Sequence, residues 1–220
     1  MSLASGRFIS LEGGEGSGKS TQSRRLLDGL RARGIDVRAT REPGGSPGAE
    51  AVRAVLLSGA AEALGTQAEA LLFAAARADH VAQTIQPALQ AGCWVVCDRF
   101  IDSTRVYQGA VGKVPPDLLG ALERVATQGV RPDLTFILDI DPKIGLQRAA
   151  ARANGAVADR FEKQGLPYHQ AVRDAFLALA QSEPERCVVV NAGDPPEVVA
   201  GHIARAVRDR LGVDLLDQPE

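Results

Sequence analysis

Between Phe8 and Thr21 the chain reads FISLEGGEGSGKST. Gly13 to Ser20 match the spacing G-x-x-x-x-G-K-[ST]. Glycines at 13, 14, 16 and 18 let the backbone wrap until successive N–H groups converge on phosphate oxygens. A helix opening behind them adds the partial positive charge of its N-terminus. Lys19 is then placed to reach the β- and γ-phosphates of a nucleoside triphosphate, and the Ser20 hydroxyl to ligate Mg²⁺, with Ser17 and Thr21 completing the cradle. Glu15 is the anomaly. A carboxylate aimed at a triphosphate is repelled. It is therefore either solvated or turned toward a hydrogen-bond donor such as a sugar hydroxyl.

Further along, the run CWVVCDRF places Asp98 and Arg99 just after an apolar stretch. In open α/β sheets the carboxyl ends of strands face the ligand. Asp98 is positioned to hold Mg²⁺ through water, and Arg99 to clamp a phosphate with a charge-assisted fork. Phe73 and Arg77 stand four residues apart on a helical pattern and share a face. A ring can stack on a base there, and a guanidinium can donate to a carbonyl oxygen; a core Phe beside a surface Arg is the plainer reading. His80, His169 and His202 are isolated and read as surface or satisfied core residues.

These groups need a scaffold, and the chain is patterned for one. Strand-like runs at 7–12, 36–40, 93–98, 134–140 and 186–191 alternate with helical runs at 19–33, 49–58, 67–91, 116–128, 142–152, 168–181 and 196–211. Alternation of this kind implies a parallel sheet covered by helices on both faces, an α/β fold. Pro87 should kink or end the helix of 67–91. No linker or repeat divides the 220 residues. The expectation is a single domain over 1–220, with a mobile lid at about 152–167 and a frayed tail from 212 to 220.

Composition narrows the function. Net charge is −2, which gives no field for a polynucleotide. The three cysteines have no metal-ligand spacing and suit buried thiols in a reducing compartment. The N-terminal MSLASGRFIS lacks a long apolar core, and no stretch is long enough to span a bilayer, so the expected place is the cytoplasm. A signalling GTPase would carry an N-K-x-D segment to read guanine, and none is present. The D-x-x-G string at 117–120 falls in a helical pattern and reads as coincidence. A small-molecule kinase fits best. A P-loop switch acting on protein partners is the alternative from another class.

Several segments together resemble the thymidylate (dTMP) kinase family: EGGEGSGKST (12–21), TREPGGSPGAE (40–50), LLFAAAR (71–77), DRFIDSTRVYQG (98–109), RPDLTFILDI (131–140) and RANGAVADRFE (152–162). Their order agrees over about 7–211. The resemblance implies a P-loop fold with a five-stranded parallel sheet and a lid, transfer of a phosphoryl group from ATP to dTMP with Mg²⁺, and a homodimer. It implies that Glu15 contacts the 3′-hydroxyl of the deoxyribose. Phe73 and Arg77 would meet the thymine ring and its O4, and Arg99 the acceptor phosphate. Thr104 and Gln108 continue the match on the base side, Ser103 would also contact dTMP, and Tyr107 would crowd the 2′ carbon against ribose. Glu42 and Pro43 would shape the wall of the acceptor site, and Arg53 would add a second contact. The P-loop holds no arginine, so the cation at the transferring group is expected from the lid side. Arg148, Arg152 and Arg160 are the candidates, with Arg152 and Arg160 preferred and Arg148 placed near ATP.

Overall fold

The computed structural model describes residues 6–153 and 164–215, without the side chains of 152 and 153. At its centre lies β1, Phe8–Glu12, every residue of which is buried. It pairs in parallel with β3 (Trp94–Asp98) on one side and β4 (Leu134–Asp139) on the other. With β2 (Val37–Arg41) and β5 (Cys187–Asn191) at the edges, the sheet has the order β2-β3-β1-β4-β5. Strands covered on both faces carry apolar side chains in both parities, which is why VVC and LTFIL run without alternation.

The two faces are built from opposite parities of β1. Ile9 and Leu11 meet Leu26, Leu27 and Leu30 of α1 (Lys19–Ala32) and Val199, Ile203 and Val207 of α9 (Pro196–Leu211). Phe8 points to the other face, with Val81, Ile85, Phe100 and Ile101. Ser10 and Glu12 share that parity. Leu30 is fully buried, and cutting such a side chain back to alanine costs about 2–5 kcal/mol.

The remaining described helices are α2 (Pro47–Leu57), α3 (Gly65–His80), α4 (Gln86–Gln90), α5 (Ile101–Thr104), α6 (Pro116–Thr127), α7 (Pro142–Ala153) and α8 (Leu166–Ser182). Three expectations need correction. The interruption assigned to Pro87 comes ahead of it, as a π-helical stretch at Val81–Ile85; Pro87 itself sits in the first turn of α4, where a missing N–H costs little. Residues 101–111 were given no element, yet they form α5 and a π-helical continuation, Arg105–Val111. The tail does not fray from 212: Val213 and Leu215 are half-buried against the core beside α1. Residues 216–220 lie outside the described residues, as do 154–163 of the expected lid.

Candidate active site

The turn between β1 and α1 is glycine-dependent. Gly13, Gly16 and Gly18 take φ of 138°, 66° and 87°. A side chain at Gly16 would collide with the backbone carbonyl of Gly145 in α7. The N-terminus of α1 opens at this turn. Lys19 is nearly buried, and its Nζ donates to Gly13 O (3.1 Å), Gly14 O (2.8 Å) and, more weakly, Ser17 Oγ (3.4 Å). Burial, then the nearby Arg99 guanidinium, push its pKa down to about 8. Such an ammonium gains from an incoming phosphate.

Arg99 follows β3 and sits at the mouth of the loop. Its backbone is left-handed, φ 69°, a strained place for a residue with a side chain. Its Nη2 donates to Glu15 Oε1 at 2.7 Å, and its Nη1 to Gly13 O at 3.3 Å and Ser103 Oγ at 3.2 Å. The guanidinium lies 5.2 Å from the centre of the Tyr107 ring. Burial works against its charge, but Tyr107, Glu15, Asp98 and Glu12 outweigh that and hold it above the ordinary arginine value. Burial also raises the Tyr107 phenol. Glu15 is thus turned away from the phosphate cradle, toward Arg99 and Tyr107, whose hydroxyl lies 3.5 Å away.

From this junction a cleft of about 260 Å³ runs between the P-loop and α3. Glu15, Glu42, Pro43, Arg53, Phe73, Arg77, Arg99, Ser103, Thr104, Tyr107 and Gln108 all line it, together with Gly16 to Ser20. The local folding reasons are specific. Arg77 is buried on α3, with Nε on Glu42 Oε2 (2.7 Å) and Nη2 on Phe100 O and Thr104 Oγ1 (both 3.1 Å). Glu42 also meets His80 Nδ1 at 3.0 Å, and Thr40 meets His80 Nε2 at 2.6 Å, so His80 is the satisfied core residue that was expected. Arg53 donates to Pro43 O at 2.7 Å. Phe73 is half-buried, one turn before Arg77.

Ser20 Oγ donates to Asp98 Oδ2 at 2.7 Å. Among the described residues no group of three or more His, Cys, Asp or Glu side chains is placed to cage a metal ion. Mg²⁺ suits one or two hard protein oxygens, with water and nucleotide phosphates supplying the rest. Ser20 and Asp98 fit that demand.

Other expected groups fall elsewhere. Thr21 is exposed on the first turn of α1. Arg148 stands outside the cleft: from α7 it donates to Ala192 O (2.8 Å) and Gly193 O (3.4 Å), tying α7 to the turn after β5. Arg152 is on the last turn of α7 with its side chain outside the described residues, and Arg160 lies outside them altogether. Glu12 was missed. It is fully buried at the end of β1, and its Oε1 accepts from Phe100 N (2.7 Å) and Ser103 N (3.3 Å), its Oε2 from Ser103 Oγ (2.6 Å). The available signal was its parity, which places a carboxylate on the same covered face as Phe8. Asp139 and Arg173, joined by two bonds of 2.7 and 2.9 Å from β4 to α8, were also not foreseen.

The chain matches known proteins over most of its length. The family model described as thymidylate kinase matches residues 11–203. The chain is 55% identical over 206 residues to a thymidylate kinase of Bradyrhizobium diazoefficiens, covering 94% of this chain and 90% of the relative. It is 55% identical over 207 residues to one of Rhodopseudomonas palustris, with the same coverage of 94% and 90%. Among solved structures, a thymidylate kinase from Ehrlichia chaffeensis superposes with a TM-score of 0.74 at 32% identity, over 92% of this chain and 99% of that one. A family match that begins within β1 and runs into α9 takes in the P-loop, the Arg99 junction and the cleft wall alike, and on that extent the chain belongs to the thymidylate kinase family.

Proposed function

We propose that this protein transfers the γ-phosphoryl group of ATP to dTMP, giving dTDP and ADP and so supplying dTTP for DNA synthesis. The observation that carries the reading is the position of Arg99. One guanidinium bridges the P-loop, at Gly13 O and Glu15, and the acceptor wall, at Ser103 and Tyr107. An acceptor phosphate held there faces a donor phosphate held by Lys19.

The chemistry needs little proton transfer. A phosphate monoester is largely dianionic at neutral pH, since its second pKa is about 6. Its oxygen attacks the γ-phosphorus, and the bond to the β–γ bridging oxygen of ATP breaks, leaving ADP. The obstacle is mutual repulsion of anions, so catalysis rests on positioning and on positive charge at the transferring group. Lys19 and Arg99 supply fixed charge. Arg152 and Arg160 are assigned to the same group from the lid side. Mg²⁺, held by Ser20 directly and Asp98 through water, would neutralise charge on the β- and γ-phosphates.

The acceptor base is assigned to the space between Phe73 and Gln108, with Arg77 and Thr104 toward its polar edge. Arg77 is fixed by Glu42 and so donates from a rigid position. Glu15 would accept from the 3′-hydroxyl while still paired with Arg99, and Pro43 and Arg53 close the outer wall. Arg148, with Ala192 and Gly193, is assigned to the adenine side. A homodimer is supported by exposed Val55, Leu71 and Val125 on α2, α3 and α6, of which α3 packs against both others. A cytoplasmic setting is supported by three buried free thiols. No described helix is long and apolar enough to cross a membrane.

ADP release with ATP and a panel of monophosphates tests the reading. Turnover should be dominated by dTMP. Dominant turnover with AMP or GMP, or slow hydrolysis indifferent to any acceptor, would overturn it.

A further inference from the structure

Arg99 owes its place to a turn that its own sequence does not favour. Left-handed φ at a residue with a full side chain persists only where neighbours over-determine it. The neighbours here belong to β1. Leu11 O accepts from Arg99 N at 2.9 Å, continuing the ladder past the end of β3. The next residue of β1 is Glu12, whose bonds to Phe100 N, Ser103 N and Ser103 Oγ pin both ends of the segment that follows. Ser103 Oγ in turn accepts from Arg99 Nη1. A chain therefore runs from the buried carboxylate through one hydroxyl to the guanidinium. We propose that Glu12 is a positioning residue for the acceptor phosphate: it fixes the 99–103 turn and, through Ser103, aims Arg99 into the cleft.

The placement argues for this over a purely structural role. A carboxylate with no exposure is costly to keep, and a methyl or amide would fill the space with less penalty. Its bonds to Phe100 N, Ser103 N and Ser103 Oγ go to the Arg99 turn rather than to the phosphate loop it precedes. It reaches the reacting groups only through Arg99, so loss should fall on the acceptor and spare the donor. The carboxylate's length matters as well. Aspartate keeps the charge but withdraws the oxygens by one methylene, whereas glutamine keeps the reach and an acceptor for Phe100 N.

The inference rests on the function proposed above, and the experiment separates the two. Wild type, Glu12→Ala, Glu12→Asp, Glu12→Gln and Ser103→Ala are compared for dTMP-dependent turnover, for calorimetric binding of dTMP and of a non-hydrolysable ATP analogue, and for thermal unfolding. Wild type lacking dTMP-dependent turnover would sink the functional reading itself. With wild type active, Glu12→Ala and Glu12→Asp should raise KM for dTMP at least tenfold, with ATP-analogue affinity changed less than twofold. Glu12→Gln should recover most of the loss. Should Glu12→Ala fail to fold, Glu12→Asp combined with Ser103→Ala reads the same link: the pair should lose less dTMP affinity than the two single losses combined. The inference is overturned by near-wild-type dTMP kinetics in a folded Glu12→Asp or Glu12→Ala, by equal losses for both nucleotides, or by additive loss in the pair.

Discussion

At the scale of single residues, the account turns on Glu15, Arg99 and Tyr107, three side chains that meet only because the P-loop and the segment after β3 end at the same rim. Glu15 was legible in part. Repulsion from phosphate says it must turn away, and the structure gives it Arg99 at 2.7 Å. Sequence could not give that partner, because the two are distant in the chain and the protein is rich in arginine. Tyr107 lines the cleft, and the proposed role for it is to crowd a 2′-hydroxyl. Tyr107→Ala should therefore narrow the preference for dTMP over its ribose counterpart, by roughly tenfold if one steric contact carries it. Kinetics with both acceptors check this, and an unchanged ratio would remove the steric role. Glu12 makes a second prediction. Burial, then the nearby Asp102, raise its pKa from 4.5 to about 7, against the lowering pull of Ser103, Arg99 and the Phe100 N–H. Asp102 is itself paired with Arg186 and Arg105. A raised carboxyl favours the folded state below pH 4.5, and that contribution is lost as pH rises through about 7. Thermal unfolding of Glu12→Gln should gain on wild type between pH 5 and pH 8. A constant difference would mean that Glu12 does not titrate in this range.

At the scale of elements, the strands and most helices could be read from sequence because apolar runs and amphipathic periods are local signals. The segment 101–111 could not. DSTRVYQGAV has no clear apolar period, and its helical state depends on tertiary packing, with Ile101 in the Phe8 cluster and Val106 and Tyr107 against Val172 and Phe176. That hidden element carries Ser103, Thr104, Tyr107 and Gln108. The contact of α7 with the P-loop was equally invisible. Gly145 and Gly16 approach so closely that a Cβ on Gly145 would collide with the Glu15 carbonyl oxygen. The helix that leads to the expected lid is thus seated on the phosphate loop. Gly145→Ala should push the two apart, costing about 1–3 kcal/mol of stability, the usual range for overpacking, and raising KM for ATP. A melting temperature and KM equal to wild type would show that the loop gives way freely.

At the scale of the whole molecule, the fold brings the P-loop and the Asp98–Arg99 turn, the proposed donor and acceptor sites, to one end of one sheet. The order β2-β3-β1-β4-β5 sets β1 between β3 and β4, so the P-loop and the Asp98–Arg99 turn emerge side by side. Alternation of strands and helices was enough to foresee such a sheet; the order of its strands was not, since pairing is a long-range choice that local pattern does not encode. The cleft followed from that order, with every expected acceptor residue on its lining. The lid arginines are the part that sequence proximity left open, because Arg148 proves to be committed to the turn after β5. The central claim is that two nucleotides lie end to end across the Arg99 junction. A crystal structure with an inert mimic, adenosine joined to thymidine through a chain of phosphates, tests it most directly. The thymidine end should lie between Phe73 and Gln108, with its phosphate on Arg99 and the chain passing Lys19. A thymidine end lying outside the cleft, or an Arg99 that touches no phosphate, would contradict it.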